Sequence, residues 1–555
     1  MAMSQAARSL VLSLVFGSLG SQAVLFSGNL PSFPVFAQPQ QWNLHADHSG
    51  RGLLKRGAPS IHELTFGQLS YNLIVEVGPV SLRVAIDTGS ADAWILASNA
   101  QAAKNKLPTY LLDWHSTTFV DVDRNQSTYT FGFADGTSGT GFIARETFVF
   151  ENFTVPGQAF ALIQSTDIHL GEGQDGVSGL VGLGFSRLSR ISQTTQNATT
   201  ILERLAREGQ LAYPMFGISL TGAGGSLSLG AIDASVVPDA ALIEWHDVVP
   251  FPPVGQDTRS SFYLHWAVEL DSIQVNGSAI DISPQYREVG KRPLALIDVG
   301  SSGIFGPYGS VSRIFDQFES SRMVADGVWA VPCDSKQEMT FNFGGKPFIL
   351  QPADYIMGEA TGNPGTCLSW PVAVPPGGDG LDWQFGQPFL RKVYTVFSYG
   401  VDTREPPLIG FYLLPNSTSS TSASMSDNVE GTTSTYPSIA TTLPNSLLSE
   451  PTPTTPPYVF NTSATIPTPG GRSGFGTSTY SPVLRPLNAT AIPTAVLPAS
   501  TFITTDPAGH SITTTSRLPV ETIILGRPDG MNDAVQIHIP RWLFATVFTF
   551  LALAF

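Results

Sequence analysis

The sequence predicts an all-β protein of two lobes around a central cleft, followed by a disordered stalk rich in Ser, Thr and Pro. Three observations predict it. Short β-rich runs such as Tyr71–Val77 and Phe216–Leu220 fill residues 60–412, punctuated by Gly, Asn and Pro clusters. One pattern occurs twice, as Asp87-Thr88-Gly89-Ser90 and Asp298-Val299-Gly300-Ser301, each after an apolar run and each followed by more apolar residues. Beyond Tyr412 the composition shifts abruptly to Ser, Thr and Pro with no helical or alternating period.

The repeated turn places an Asp at the end of a buried strand, where its pKa depends on hydrogen bonds and on any second carboxylate nearby. Gly89 and Gly300 let backbone N–H groups approach without a Cβ in the way. Ser90 and Ser301 are placed to donate a hydroxyl hydrogen bond to the outer carboxylate oxygen. Two like charges a few ångström apart cannot both ionise easily, so Asp87 and Asp298 are expected to titrate as a unit and share one proton. That chemistry suits activation of water, and both Thr88 and Val299 sit beside it.

These residues resemble the pepsin-like aspartic proteases over approximately residues 60–412. Asp87 to Trp94 is similar to the first-lobe motif of that family, and Asp298 to Pro307 to the second. Phe133-Ala134-Asp135-Gly136 and the residues to Gly141 resemble the flap hairpin over the cleft. Gly179–Phe185 and Trp383–Arg391 resemble the segments packed behind the two aspartates. The resemblance implies a bilobal fold, catalysis by Asp87 and Asp298 at acidic pH, protein or peptide substrates, a monomer and no cofactor. It also implies dyad support from Thr88, Gly89, Ser90, Gly300 and Ser301, and substrate contacts from Trp94, Phe133, Ala134, Asp135 and Gly136.

Four positions depart from the family pattern. Val299 stands where Thr or Ser is usual and lacks the hydroxyl that bonds to backbone across the lobe interface; one such buried bond is worth about 1–3 kcal/mol. Phe133 stands for a flap Tyr, so a bond to the Trp94 indole is expected to be lost. Ala134 replaces a Gly, and Gln387 an Asp. A catalytically weak or inactive surface-binding protein on the same fold is therefore the alternative reading.

The 555 residues carry a formal net charge of −15, which argues against nucleic acid as a partner. There is no metal-ligand spacing, and His45 and His48 precede the lobes. The resemblance pairs the only two cysteines, Cys333 and Cys367, in a second-lobe disulfide worth roughly 3–4 kcal/mol.

Residues 1–23 read as a secretory signal, with Arg8 before an apolar run and small residues at Gly20–Ala23. Lys55-Arg56 suggests a propeptide over 24–56, leaving lobes at 57–225 and 226–412 and a stalk at 413–531. Few large apolar residues occur in the stalk, so chain entropy is expected to prevent a core. Residues 532–555 end on the apolar Trp542–Phe555, shorter than the ~20 residues of a membrane-spanning helix. Small residues, a spacer and that tail match a GPI-anchor signal with attachment at Asn532, which resembles the GPI-anchored, yapsin-type surface proteases of fungi. Asn125, Asn152, Asn197, Asn276, Asn416, Asn461 and Asn488 carry glycosylation sequons. A helix is expected from Thr199 through Arg207, with Leu202, Leu205 and Ala206 inward, and a hairpin at Gly224–Gly230.

Overall fold

The computed structural model describes residues 59–67, 70–100, 106–113, 116–122, 128–150, 152–254, 262–415, 438–444, 448–460, 480–496, 500–505, 511–516 and 525–528. The signal, propeptide and anchor readings, with Asn125, Asn416, Asn461 and Asn532, lie outside these residues.

Alternating apolar and polar residues in Val80–Asp87 bury Val80, Leu82, Val84 and Ile86 on one face. That strand belongs to a 14-stranded sheet running from the first lobe into the second. Gly224–Leu229 lies at its middle, paired with Ser60–Gly67 on one side and Met215–Thr221 on the other. The segment expected as a hairpin is instead one continuous strand, whose hairpin partner is Met215–Thr221, and the division at residue 225 falls inside it. Met215–Thr221 pairs in turn with the late strand Val393–Ser398, which closes the sheet across the junction. The expected helix spans Ile201–Arg207 and buries Leu202, Leu205 and Ala206. It also buries Glu203, which pairs with Arg207 at 2.7 Å and accepts the Ser186 N–H.

Under the lobe junction the aromatic rings of Phe185, Phe216, Trp266, Phe397 and Tyr399 pack together, with Phe185 and Trp266 centroids 4.2 Å apart. Trp266 Nε1 and the Tyr399 hydroxyl both donate to the Leu183 carbonyl at 3.0 Å, and the Leu183 N–H donates to Asp87 O at 2.7 Å. Second-lobe aromatics therefore hold the segment behind the first Asp. Cys333 and Cys367 form the disulfide, which ties the residue just after Val328–Pro332 to the neighbouring strand Thr366–Ser369. The described sequon residues Asn152, Asn197, Asn276 and Asn488 are all exposed.

The expectation of a coreless stalk is corrected by several described parts of residues 438–496 and 525–528, which pack on the body. Ser438–Ile439 adds a parallel strand beside Ile356–Ala360. Tyr458 and Phe460 are buried with Phe251, Tyr286 and Leu294, and the Tyr458 hydroxyl donates to Pro252 O at 2.9 Å. Leu484 and Ile492 enter a cluster with Tyr213, Val396 and Leu408. The Leu484 and Arg485 N–H groups donate to one oxygen of the fully buried Glu405, at 2.9 and 3.0 Å. Gly526 N donates to Ser81 O in the first lobe. Composition misled here because a segment too poor in apolar residues to build a core can still fill grooves on a preformed one. Prolines reduce the entropy lost on docking.

Replacing Glu405 with Ala leaves the Leu484 and Arg485 N–H groups and the Tyr213 hydroxyl without their acceptor. A loss of about 3 kcal/mol is expected, and amide hydrogen exchange at Leu484 and Arg485 should rise well above that of the main sheet. Unchanged exchange at those two amides would show that the segment is held by other contacts.

Candidate active site

Asp87 ends its strand and Asp298 directly follows one, in a three-strand arrangement that recurs in the two lobes. In the first, Val80–Asp87 runs parallel to Gly179–Gly182, which pairs antiparallel with Ala93–Leu96. In the second, Leu294–Ile297 runs parallel to Trp383–Phe385, which pairs antiparallel with Ile304–Pro307. The inserted third strand forces the chain to turn sharply after each Asp. Both carboxyl groups consequently face one another in the cleft floor, and both residues are buried.

The carboxyl groups of Asp87 and Asp298 meet at one backbone donor. The Gly89 N–H is shared between Asp87 Oδ1 at 2.8 Å and Asp298 Oδ1 at 3.0 Å, and Gly300 N donates to Asp298 Oδ1 at 2.9 Å. The two glycines lie against the opposite lobe's acid. A Cβ on Gly300 would sit 2.5 Å from Asp87 Oδ1, and one on Gly89 2.7 Å from Asp298 Oδ2. Any side chain there would drive the carboxyl groups apart. Burial pushes the pKa of Asp298 well above the usual carboxylate range, and the neighbouring Asp87 carboxyl raises it further. N–H donors act in the opposite direction without reversing that shift.

Ser90 behaves as its position suggests, donating to Asp87 Oδ2 at 2.6 Å. Ser301 does not. Its hydroxyl donates to Gly303 O at 3.3 Å, and the outer oxygen of Asp298 is met instead by Gln384 Nε2 at 2.6 Å. Gln384 was not anticipated. The signal available was a lone amide between the buried Trp383 and Phe385, in a strand otherwise apolar.

Across the lobe interface, the Thr88 hydroxyl donates to Ile297 O and accepts from Val299 N, both at 2.9 Å. Val299 is fully buried and has nothing to return. The Thr88 N–H, which the approximate two-fold relation would place against a hydroxyl at 299, has no partner among the described residues. The loss expected from the sequence is therefore present on one side of the interface.

The flap expectation needs a correction at its ring. Thr128–Gly132 and Ser138–Phe150 form the hairpin, closed by a turn in which Phe133 N donates to Thr137 O. Phe131, not Phe133, stacks on Trp94, with centroids 5.2 Å apart and planes at 20°. Phe133 packs edge-on against Phe131 at 5.3 Å. Tyr129, Phe131 and Phe133 share one face of an alternating strand, so motif position alone does not tell which reaches the Trp. The Trp94 indole N–H has no partner among the described residues, as expected from the missing phenol. Asp135 Oδ1 accepts from the N–H and hydroxyl of Thr137, and Gly136 takes φ +91°, so both residues shape the turn. Ala134 is exposed at its tip. Gln387 is buried and accepts a hydrogen bond from Arg391 at 3.2 Å.

The model of the eukaryotic aspartyl proteases matches residues 70–405. The chain belongs to that family. Among relatives of this pepsin-like aspartic peptidase, an aspartic protease of Phaffia rhodozyma is 25% identical over 334 residues, covering 59% of this chain and 73% of that protein. Major aspartyl peptidase 1 of Cryptococcus neoformans is 26% identical over 348 residues, covering 59% of this chain and 65% of its own length. Gastricsin of Cavia porcellus is 28% identical over 345 residues, covering 60% and 77%. The match ends before the tail segments that dock on the aspartyl protease body.

Val299→Thr should return a hydroxyl to the Thr88 N–H and raise stability by about 1 kcal/mol, read as a higher midpoint in thermal unfolding. A lower midpoint would mean that the Val methyl packing outweighs the missing bond.

Proposed function

We propose that this protein is a secreted, surface-anchored endopeptidase that hydrolyses peptide bonds at acidic pH through Asp87 and Asp298. The observation that carries this reading is the pair of buried carboxyl groups, one from each lobe, that share the Gly89 N–H. With one proton between them, the ionised carboxylate takes a proton from a water held by the pair, and the oxygen attacks the peptide carbonyl carbon. The protonated carboxyl donates to the carbonyl oxygen as charge develops there. When the tetrahedral intermediate collapses, the C–N bond breaks, the now protonated carboxyl gives its proton to the leaving amine, and the other carboxylate takes one from a hydroxyl of the intermediate. One water is consumed per bond, and the pair returns to a single proton.

Gly89 and Gly300 serve this chemistry by keeping the carboxyl groups close, while Thr88 ties the turn of one lobe to the other. Trp94 and the hairpin carrying Phe131 and Phe133 form the wall over the cleft that an extended substrate would meet. Protein and peptide chains are the substrates this cleft suits. The apolar amino-terminal run, Lys55-Arg56 and the apolar carboxyl-terminal tail support secretion, processing and GPI anchoring at Asn532.

The raised pKa of Asp298 fixes the sign of the pH dependence. The pair keeps its shared proton above the ordinary carboxylate range and loses it as pH rises further, so activity falls on that side. At the lowest pH both carboxyls are protonated and no base remains. A bell-shaped profile confined to acidic pH is expected with a protein substrate, with Asp87→Asn or Asp298→Asn lowering kcat by about 10⁴-fold. Purified protein that begins at Gly57 and cleaves nothing anywhere in the acid range would favour the binding-protein alternative that Val299 motivates. Anchoring is tested separately: a phosphatidylinositol-specific phospholipase should release activity from intact membranes, and retention after treatment would count against the lipid.

A further inference from the structure

The two carboxyl groups of the dyad are supported on their outer oxygens by different chemistry. Ser90 gives Asp87 Oδ2 a hydroxyl, at 2.6 Å. A hydroxyl can rotate, donating to a carboxylate and accepting from a carboxylic acid. Ser301 occupies the corresponding place after Asp298 but donates to Gly303 O. Asp298 Oδ2 receives an amide N–H from Gln384 at 2.6 Å instead. An amide N–H only donates, so this contact favours the ionised form of its partner. Counting the backbone donors, Asp298 accepts from Gly89, Gly300 and Gln384, whereas Asp87 accepts from Gly89 and the Ser90 hydroxyl.

Gln384 is held in a way that makes the contact rigid. Its strand is paired on both sides, with Leu296 and with Phe305 opposite it. Trp383 and Phe385 on either side are buried in the second-lobe core, so strand alternation turns the amide the other way, toward the cleft. The following Gly386 lies so close to Ser301 that a Cβ there would fall 2.1 Å from its carbonyl oxygen. Strand and catalytic turn are thus packed backbone to backbone, and the side chain of Gln384 has little room to follow any other partner.

We propose that Gln384 is a positioning residue of the hydrolytic reaction, taking at Asp298 the place that Ser90 holds at Asp87. Its amide N–H orients the Asp298 carboxyl and biases the dyad toward having its negative charge there, which sets the pH range in which the pair works. The proposal rests on the endopeptidase reading given above. The same hydrogen bond lowers the pKa of Asp298 against the opposing effects of burial and of Asp87. Removing the donor should therefore move both proton dissociations of the pair upward.

The test is the pH dependence of kcat/KM for the full mature chain and for Gln384→Met, which keeps length and volume without a donor, on a peptide substrate. Both limbs of the Met profile are expected to shift by about 1 pH unit toward neutrality, with kcat at the acid optimum reduced several-fold. A residue serving only to fill space would change the amplitude and leave the limbs in place, so superimposable normalised profiles overturn the proposal. Ser301→Ala supplies a second arm that does not depend on the Met variant folding. Limbs displaced by Ser301→Ala as far as Ser90→Ala displaces them would mean that Ser301 supports Asp298 in solution, and would overturn the assignment to Gln384. Inactivity of the unmodified chain across the acid range overturns the endopeptidase reading and this inference with it. An active parent with unmoved limbs in Gln384→Met overturns this inference alone.

Discussion

The geometry of the cleft floor depends on one side-chain hydroxyl. Thr88 reaches over the lobe interface to bond both Ile297 O and Val299 N, the backbone groups on either side of Asp298. Because those groups flank the second acid, their position fixes its carboxyl relative to Asp87. The shared Gly89 N–H then completes a frame in which neither acid can move without the other. A buried hydroxyl that both donates and accepts uses its full capacity at little entropic cost, since Thr is restricted at χ1. In this chain the frame is one-sided, with a Val methyl where a second hydroxyl would complete it.

Asymmetry recurs at the next layer. Ser90 and Ser301 have the same spacing from their acids, yet only Ser90 bonds its own carboxyl, and Gln384 replaces the other. Phe131 covers Trp94 by stacking alone, which leaves the indole N–H unpaired among the described residues. Each change removes or exchanges a polar group while keeping apolar volume. The aromatic cluster at the junction offsets such losses, because Trp266 and Tyr399 pin the Leu183 carbonyl and, through its N–H, the Asp87 backbone. Rigidity of the site is thus carried more by buried rings and shared backbone bonds than by paired hydroxyls.

The tail adds a constraint outside the match to the family. Several of its apolar side chains dock where the body already offers a groove: Tyr458 and Phe460 near Phe251, Leu484 and Ile492 near Tyr213. Glu405, fully buried, accepts hydrogen bonds from the Tyr213 hydroxyl and from two N–H groups of that tail. The carboxylate and the docked segment depend on one another. Sequence composition counts what a segment can bury against itself, and so could not register burial against a distant surface.

The family resemblance supplied the disulfide partners and the segments behind the acids; the sequence by itself determined the strand-dominated character and the repeated turn that carries each Asp. These last two follow from local pattern: strand alternation, a repeated turn and apolar runs whose spacing survives without coordinates. Tertiary structure alone decided which of three same-face aromatics meets Trp94, that Ser301 turns away from Asp298, that Gln384 takes its place, and that residues 438–528 include docked segments. Each of these is a choice among groups equally permitted by local geometry. Such choices are made by distances between segments far apart in the chain, and a single buried hydrogen bond or one filled groove is enough to settle them.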